Sequence, residues 1–502
     1  MIALTTPKSA RSGLAAAILV LALALLVALA GASMAAEITI RPDLSDRVTG
    51  LKRLFPPRSP VGADLLRQRN PENFSELALK LESPYSPGPT VIRLEGPIEP
   101  GDADKLAAIL QAPPDQYPDL TYYVVLSLNS PGGNFGEAFR LSKVLLNDIE
   151  GNDPRIAGLI ILSEDRCLSA CAVLFADSRD RAHPTTDIRF VEKGAELGFH
   201  MPYFASGTDT EAVSGLEMLD LGYDVAAAMV GLLANEANPP ELLQRTLRYR
   251  TPSDFYMLRG DLETWRMGFT PVAKGSDVTE IGAAGLDTST VGHLCNLTLT
   301  AGPSKLATWE DDFCDFRLEP VGSQNGTGSP LLSELMNGGS RAFTATCEGF
   351  SCQVRVGESA EIGISVWRDN DGCQEFKDAF PSQMCPAQAR GVDTVSNHFL
   401  AEAYSCRDGE LLPGTFSADN RPTIKRNVNL RDAPGREGRI VTSLTAGSQV
   451  EVTGCKVTAD DQGVWYRIKR PGSDGWVSAR FIGGHKERFA NRWTRFGLDQ
   501  GE

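Results

Sequence analysis

Two stretches in the first half of the chain combine a strand-like hydrophobic run with a helix-like pattern. Thr121–Leu128 and Ile156–Leu162 are aliphatic, β-branched or aromatic runs of strand length. The first run stops at a Pro-Gly-Gly turn, after which Glu137–Leu146 has apolar residues at helical spacing. The second run is followed by a polar loop and by an apolar helical segment that starts at Ser169. The pattern therefore predicts two successive strand–turn–helix units.

The C-terminal half has shorter hydrophobic runs that are separated by turns. Residues 287–414 contain alternating segments such as Ala342–Cys347 and Gln353–Val356, which indicate β-strands. Over residues 424–485, short strands and turns follow one another at even spacing, which is typical of a small barrel. With 502 residues the chain exceeds one domain. We therefore expect a multidomain protein that ends in a cysteine-rich, mostly β region and a small all-β unit.

A basic and then apolar segment opens the chain. Lys8 and Arg11 precede the uncharged run Leu14–Ala32, and small residues follow it. This order predicts a secretory signal peptide within residues 1–36. The run is also long enough to span a bilayer, so a retained membrane anchor is the alternative. In both cases the rest, beginning with a polar lead-in over residues 37–89, is expected in the periplasm or outside the cell, free or tethered to the inner membrane.

Composition supports export and excludes one class of partner. Eight of the ten cysteines lie between Cys295 and Cys455, without the Cys-x-x-Cys pairs of zinc knuckles. A disulfide framework is therefore expected in this region, and no metal site. The formal net charge of −15 argues against nucleic acid, or an anionic membrane surface, as a partner held by bulk electrostatics.

The first strand–helix unit offers an anion site at its turn. A strand that runs through Gly132 and Gly133 into a helix leaves backbone N–H groups at the positive end of the helix dipole. Glycine lets a ligand approach closely because it has no side chain. Such amides suit a developing oxyanion, although an ordinary strand-to-helix turn is the alternative interpretation.

The second unit places a serine where nucleophilic catalysis can use it. Ser169 lies in the first turn of an apolar helix, where unpaired amides such as that of Ala170 stabilise negative charge. A simple helix cap is the alternative role for this serine. His200, one of five histidines, follows at the end of an apolar segment. It is the candidate base, and a hydrogen-bonded structural histidine is the alternative.

Four segments together resemble the Clp protease proteolytic subunit and the wider crotonase-like superfamily, in the form of periplasmic ClpP-class proteins. They are the strand Val91–Ile98, the loop Asn129–Gly133, the helix that starts at Ser169, and the segment Gly198–Pro202. The resemblance covers residues 90–286. It implies an α/β superhelix of ββα units that acts on a peptide or protein substrate.

The resemblance assigns a role to each residue that matches the motifs of the family. It implies that Ser169 is the nucleophile and that His200 is the general base. The oxyanion donors it implies are Gly132 or Gly133 together with Ala170. Because the family forms ring assemblies, it also implies a homo-oligomer. This chemistry uses no cofactor and no metal.

The third member of a catalytic triad is where the chain departs from the family. The family's acid precedes a Phe-Leu-Ser motif; the nearest match here begins at Phe255, and the closest carboxylate is Asp254. Loss of such an acid reduces the rate more than it abolishes the chemistry. A serine–lysine dyad is the rival arrangement. However, Lys143 and Lys193 both lie in segments expected at the surface, where a lysine keeps its proton.

Two cysteines flank the candidate nucleophile. Cys167 and Cys171 are one helical turn apart, with Ser169 between them. Small buried packing residues are the commoner role of cysteine in such a helix. We therefore favour packing over a local disulfide.

The C-terminal unit resembles a bacterial SH3-like domain. The Asn-Leu-Arg-x-x-Pro opening and the Gly-Trp-Val close carry the resemblance, which covers residues 424–485. Members of this family commonly bind cell-wall peptide or other extended ligands. Trp465, Tyr466 and Trp476 are candidate ligand-binding residues, with packing in the core of a small barrel as the alternative.

These features lead to two hypotheses of different classes. The first is an exported serine hydrolase, a peptidase at the cell envelope, with an SH3-like module that serves for localisation or ligand binding. The second is a catalytically inactive envelope scaffold, which the unclear triad acid favours. Crotonase chemistry on a thioester is a third possibility, but it uses a cytoplasmic cofactor and does not suit an exported chain.

Overall fold

The structure is a computed structural model. It describes residues 36–55, 89–112, 124–149, 156–178, 188–202, parts of 223–233, 238–281, 286, 288–301, 342–347, 350–356, 362–368, 395–407, 409–412, 415–416, 421–458 and 463–484. The predicted signal peptide or membrane anchor lies outside these residues. Within the described part of the chain, no helix has the length and apolar character that a membrane span requires.

The first half of the chain is built around a seven-stranded sheet. Its strands and those of a smaller sheet are β1 (Glu37–Ile40), β2 (Leu51–Arg53), β3 (Thr90–Glu95), β4 (Val124–Asn129), β5 (Ile156–Ile161), β6 (Arg166–Leu168), β7 (Arg189–Glu192), β8 (Glu196–Phe199), β9 (Tyr256–Leu258) and β10 (Thr270–Lys274). The large sheet has the order β1-β3-β4-β5-β7-β10-β2. The five inner strands are parallel, and both edge strands are antiparallel to their neighbours. Both edge strands come from the lead-in segment.

Helices cover the two faces of the large sheet. They are α1 (Ser45–Thr49), α2 (Asp102–Leu110), α3 (Phe135–Ile149), α4 (Ala170–Asp177), α5 (Pro240–Thr246) and α6 (Leu262–Arg266). Because successive side chains of a strand point to opposite faces, Val125 packs with Val48 of α1, whereas Leu126 shares a core with Leu141 of α3 and Phe175 of α4. Strands rich in aliphatic residues are expected where both faces are buried. The two predicted strand–turn–helix units are confirmed.

A smaller sheet of β6, β8 and β9 brings two distant segments together. Strand β6 is parallel to β8, with Leu168 opposite Gly198, and β8 is antiparallel to β9. Parallel neighbours end at the same edge of a sheet. The residues that follow β6 and β8, Ser169 and His200, therefore lie at the same end of the small sheet.

The cysteine-rich region contains helices as well as the predicted strands. Helix α7 (Thr288–Ala301) opens it, strands β12 (Ala342–Cys347), β13 (Phe350–Val356) and β14 (Ile362–Arg368) form an antiparallel sheet, and helix α8 (Asn397–Ala403) follows. The remaining short strands are β11 (Glu280–Ile281), β15 (Val395–Ser396), β16 (Cys406–Arg407) and β17 (Glu410–Leu411). A disulfide between Cys295 and Cys352 joins α7 to the antiparallel sheet. Two disulfides of the expected framework, Cys295–Cys352 and Cys406–Cys455, are present, whereas Cys314, Cys373 and Cys385 lie outside the described residues.

In its described residues, 421–458 and 463–484, the C-terminal unit consists of strands and one 3-10 turn. Its strands are β18 (Thr423–Ile424), β19 (Val428–Arg431), β20 (Ile440–Leu444), β21 (Glu451–Val457), β22 (Val464–Lys469), β23 (Gly475–Ser478) and β24 (Ile482–Gly483). Five of them form a sheet of order β20-β19-β23-β22-β21. The short strand spacing predicted from the sequence is thus confirmed.

One continuous hydrophobic core joins the C-terminal unit to the first half of the chain. Trp265 of α6 stacks on Phe55, with ring centroids 5.5 Å apart, and both contact Phe399 of α8 edge-on. Tyr466 of β22 donates its hydroxyl hydrogen bond to the Tyr404 carbonyl. Extensive apolar contact disfavours independent motion of domains. The SH3-like unit is therefore built into the folded body.

Candidate active site

Ser169 occupies a sharp turn between strand β6 and helix α4. Its backbone has φ 55° and ψ −121°, outside the conformations that most L-residues adopt. Its amide donates a 2.9 Å hydrogen bond to the Gly198 carbonyl, and its carbonyl accepts one from Val173. Such backbone strain costs on the order of 1–3 kcal/mol and is concentrated at functional sites. The half-buried Ser169 side chain thus stands at the first turn of a buried helix.

A disulfide encloses this turn. Cys167 and Cys171 are bonded, with their Cα atoms 5.1 Å apart, and both are fully buried. The packing interpretation was therefore wrong. A strand-to-helix turn at Ser169 brings the two Cα atoms within the range that disulfide geometry requires. The bond closes a short ring around Ser169.

The glycine loop lies directly against this turn. The Ser130 amide donates to the Arg166 carbonyl, and the Leu168 amide donates to the Ser130 carbonyl. Gly132 has φ +100°, and a Cβ atom there would be 2.7 Å from the Ser169 Cβ and 3.2 Å from the Ala170 nitrogen. Glycine is required because no side chain fits at such distances. The loop therefore packs directly against the start of α4.

Two amides of the predicted oxyanion site have no hydrogen bond within the described part of the chain. They are the amides of Gly133 and Ala170. The Gly132 amide, by contrast, donates to the Ser130 hydroxyl at 3.1 Å. Gly133 also has a positive φ of 140° and is exposed. Among the predicted donors, the geometry therefore favours Gly133 and Ala170.

His200 follows strand β8 at the same end of the small sheet. The Ser169 amide binds the carbonyl of Gly198, two residues before this histidine. Its side chain is buried, and its ring meets the Phe255 ring edge-on at 4.7 Å. Burial lowers its pKa from the ordinary value, and a hydrogen bond with the Met201 backbone acts in the opposite direction. The imidazole is therefore held in the neutral form that a general base requires.

The predicted triad acid and the two lysines of the rival dyad are all exposed. Asp254 is exposed, and its carboxylate accepts a 2.8 Å hydrogen bond from the Thr251 hydroxyl. It adjoins Phe255, which contacts the His200 ring. Lys143 is an exposed residue of α3 whose ammonium group lies 4.6 Å from the Phe139 ring, and Lys193 is exposed after β7. Both lysines are therefore surface residues, as expected from the sequence.

A buried ion pair fixes the loop that leads into β6, which sequence reasoning missed. Arg93 of β3 binds both carboxylate oxygens of Asp165, at 2.7 and 2.8 Å, and also binds Glu95 at 2.9 Å. Asp165 is only 2% exposed. The Asn129 side chain links Glu95 to the Arg166 amide. The network ties the ends of β3 and β4 to the start of β6.

Removal of the buried carboxylate is expected to destabilise the protein strongly. Asp165→Ala leaves the Arg93 guanidinium buried without its bidentate partner, which costs about 3–5 kcal/mol. Glu95→Ala removes a half-exposed partner of the same guanidinium and is expected to cost less than about 1 kcal/mol. Denaturant unfolding of both variants measures the difference. An equal loss of the free energy of unfolding in the two variants would contradict the stabilising role assigned to Asp165.

The three predicted ligand-binding aromatic residues do not form one platform. Trp465 and Tyr466 are successive residues of β22, so they point to opposite faces of the sheet. Tyr466 is fully buried, next to Tyr404 and Phe416. Trp465 is 3% exposed, and Trp476 is half-buried on the same face as Trp465. Core packing, the alternative, describes Tyr466.

Comparison with known proteins identifies one part of the chain. The bacterial SH3 domain family matches residues 426–483. Comparison with curated proteins gave no match. The chain is therefore a multidomain protein with a C-terminal all-β region consistent with an SH3-like domain. Such a domain suggests a binding or localisation module, and together with the disulfides it is compatible with an envelope or extracellular location.

Proposed function

We propose that this protein is an exported serine hydrolase of the ClpP/crotonase-like type, a peptidase at the cell envelope. The observation that carries the proposal is the strained backbone of Ser169 beside the glycine loop, with His200 at the end of the neighbouring strand. A serine on a strained strand-to-helix turn exposes its hydroxyl to substrate and to helix amides. A cap alone would not need positive φ, a disulfide or a facing Gly-Gly pair.

The proposed mechanism is acyl transfer through a covalent intermediate. The Ser169 hydroxyl oxygen attacks the carbonyl carbon of a peptide bond while His200 accepts its proton. The amides of Gly133 and Ala170 hold the negative oxygen that results. His200 then gives the proton to the departing amine, and water hydrolyses the acyl-enzyme by the same steps in reverse order. The SH3-like module positions the enzyme or binds the cell-wall peptide.

Covalent labelling tests this proposal. The purified protein, with its disulfides oxidised, is treated with a fluorophosphonate probe and digested, and the adduct is located by mass spectrometry. We expect one adduct, on the peptide that contains Ser169, and none after the protein is unfolded before treatment. An adduct on another residue, or equal labelling of the unfolded protein, would contradict the proposal.

An inactive envelope scaffold is the second candidate, and the position of Asp254 favours it. In a working triad, a carboxylate orients the histidine base. Asp254 is exposed and bound to Thr251 instead. This candidate predicts an unlabelled Ser169 in a folded protein that still binds an envelope component through residues 424–485. Observation of the Ser169 adduct would exclude it.

The pH dependence of labelling reports on His200. Because burial lowers its pKa, the neutral base persists below the ordinary value of about 6.5. The labelling rate is therefore expected to stay constant from pH 8 to 7 and to fall only as the pH drops below about 6.5. His398→Ala, which changes a half-buried histidine of α8, should keep this profile, whereas His200→Ala should lose it. A decline centred above pH 7 would contradict His200 as the base.

A further inference from the structure

The SH3-like unit has the opposite charge to the rest of the protein. Residues 421–484 contain eleven lysines and arginines but only six aspartates and glutamates, a net charge of +5, in a chain whose net charge is −15. The other residues therefore carry a net charge of −20. A local basic surface can attract an acidic partner even when the protein as a whole is acidic.

The two faces of the five-stranded sheet have different neighbours. The inner face carries Tyr466, which packs against Tyr404 and Phe416 of the preceding segment. The disulfide between Cys406 and Cys455 fixes that segment to strand β21. The inner face is therefore covered by the chain itself. A partner of the sheet can therefore use an edge or the exposed part of the outer face, where Trp465 itself is only 3% exposed.

Basic and aromatic residues alternate on the outer face. Trp476 lies directly opposite Arg431 on one side and Arg467 on the other. Trp465 lies opposite Lys456, and Lys469 of the same strand points the same way. We name Arg431, Lys456, Arg467, Lys469 and Trp476 the basic face. Directly opposite residues have Cβ atoms about 4.5–5.5 Å apart, so these side chains form one patch.

Three of the four cations of the basic face are available to a ligand, whereas the half-buried Arg431 donates hydrogen bonds to the Arg436 and Gly438 carbonyls. Within the described part of the chain, Lys456, Arg467 and Lys469 form no ion pair, and all three are exposed. The nearest acidic residue by register is Glu451, opposite Lys469 at the edge of the sheet. Unneutralised charges of one sign concentrated on one face attract a ligand of the opposite sign.

We propose that the basic face binds a carboxylate-rich, extended peptide segment. The planar guanidinium of Arg467 can hold a carboxylate with two hydrogen bonds, and lysines add point charges beside it. Trp476, half-buried between two arginines, offers an apolar surface for the peptide backbone. Ile440, 52% exposed, lies opposite Arg431 on this face. A lipid surface suits the patch less well, because one exposed aliphatic side chain is far less than the broad apolar face that interfacial insertion uses. The proposal is independent of the hydrolase chemistry at Ser169.

Binding of a labelled acidic peptide tests the basic face. The full chain is titrated into a fluorescent peptide of alternating glutamate and glycine, and anisotropy is recorded at several salt concentrations. A peptide with glutamine in place of glutamate is the reference. We expect binding of the acidic peptide that weakens as salt rises, and no binding of the glutamine peptide.

Charge-reversal variants distinguish peptide binding at the basic face from a general effect of net charge. Arg467→Glu/Lys469→Glu is expected to weaken binding at least tenfold. Arg421→Glu/Arg436→Glu changes the net charge by the same amount at exposed positions outside the five strands. This variant should retain most of the binding of the acidic peptide. Matching thermal unfolding of the two variants shows that both remain folded. Equal weakening by both, or binding to phosphatidylglycerol vesicles without peptide binding, would overturn the proposal.

Discussion

Ser169→Ala is expected to abolish fluorophosphonate labelling and to reduce hydrolysis of a susceptible peptide by at least ~10³-fold. Removing the nucleophile of a serine hydrolase leaves only what the oxyanion site and substrate binding contribute. Alanine lacks the hydroxyl but fits the half-buried position, so the fold should survive. The substitution removes the hydroxyl but keeps the positive φ of residue 169, because the disulfide and the hydrogen bond to the Gly198 carbonyl still hold the turn.

A matched serine variant controls this experiment. Ser443 is an exposed serine of β20, far along the chain from the site. Ser443→Ala should label at the rate of the unmodified protein. If Ser169→Ala labels as fast as Ser443→Ala, the assignment of Ser169 as nucleophile is wrong.

Removal of the disulfide around Ser169 is expected to have the second largest effect. For a ring as short as the one between Cys167 and Cys171, the chain-entropy model gives about 2 kcal/mol of stabilisation. This is comparable with the cost of a non-glycine residue at positive φ, on the order of 1–3 kcal/mol. In Cys167→Ser/Cys171→Ser the turn can therefore relax and move the Ala170 amide. We expect labelling to slow by roughly 10- to 100-fold, since 1.36 kcal/mol corresponds to tenfold in rate.

A second disulfide provides the control. Cys406→Ser/Cys455→Ser opens a bond that closes a longer loop, so it should reduce the free energy of unfolding by more. It joins the preceding segment to strand β21 of the C-terminal unit, and labelling of Ser169 should be unchanged at temperatures where the variant is folded. Slower labelling in both variants would show that the effect is general destabilisation rather than the turn at Ser169.

The sequence predicted the order of strand, turn and helix on both sides of the candidate site, but it missed strand β6, where only a polar loop was expected. A serine between a hydrophobic run and an apolar helix indicated the turn at Ser169, and the glycine pair indicated the loop beside it. Sequence alone could not separate a disulfide from packing at Cys167 and Cys171. Four residues of separation suit both, and only the direction of the turn brings the Cα atoms to 5.1 Å. The backbone conformation of Ser169 therefore determines whether Cys167 and Cys171 can form a disulfide.

Contacts between distant segments were less predictable. The ion pair of Arg93 and Asp165 joins residues 72 positions apart, and no local pattern marks either side chain as buried. The same holds for Trp265 stacked on Phe55, which connects the first half of the chain to the C-terminal core. By contrast, the separation of Trp465 from Tyr466 follows from strand alternation. Because successive residues of a strand point to opposite faces, strand alternation alone excludes a shared binding surface for Trp465 and Tyr466.

The most direct test of the proposed mechanism is a crystal structure of the protein after phosphonylation. We expect phosphorus bonded to Oγ of Ser169, with the phosphoryl oxygen about 2.7–3.1 Å from the amides of Gly133 and Ala170. We also expect the His200 ring next to Oγ. A phosphoryl oxygen directed into solvent, or an imidazole on the far side of the small sheet, would contradict it.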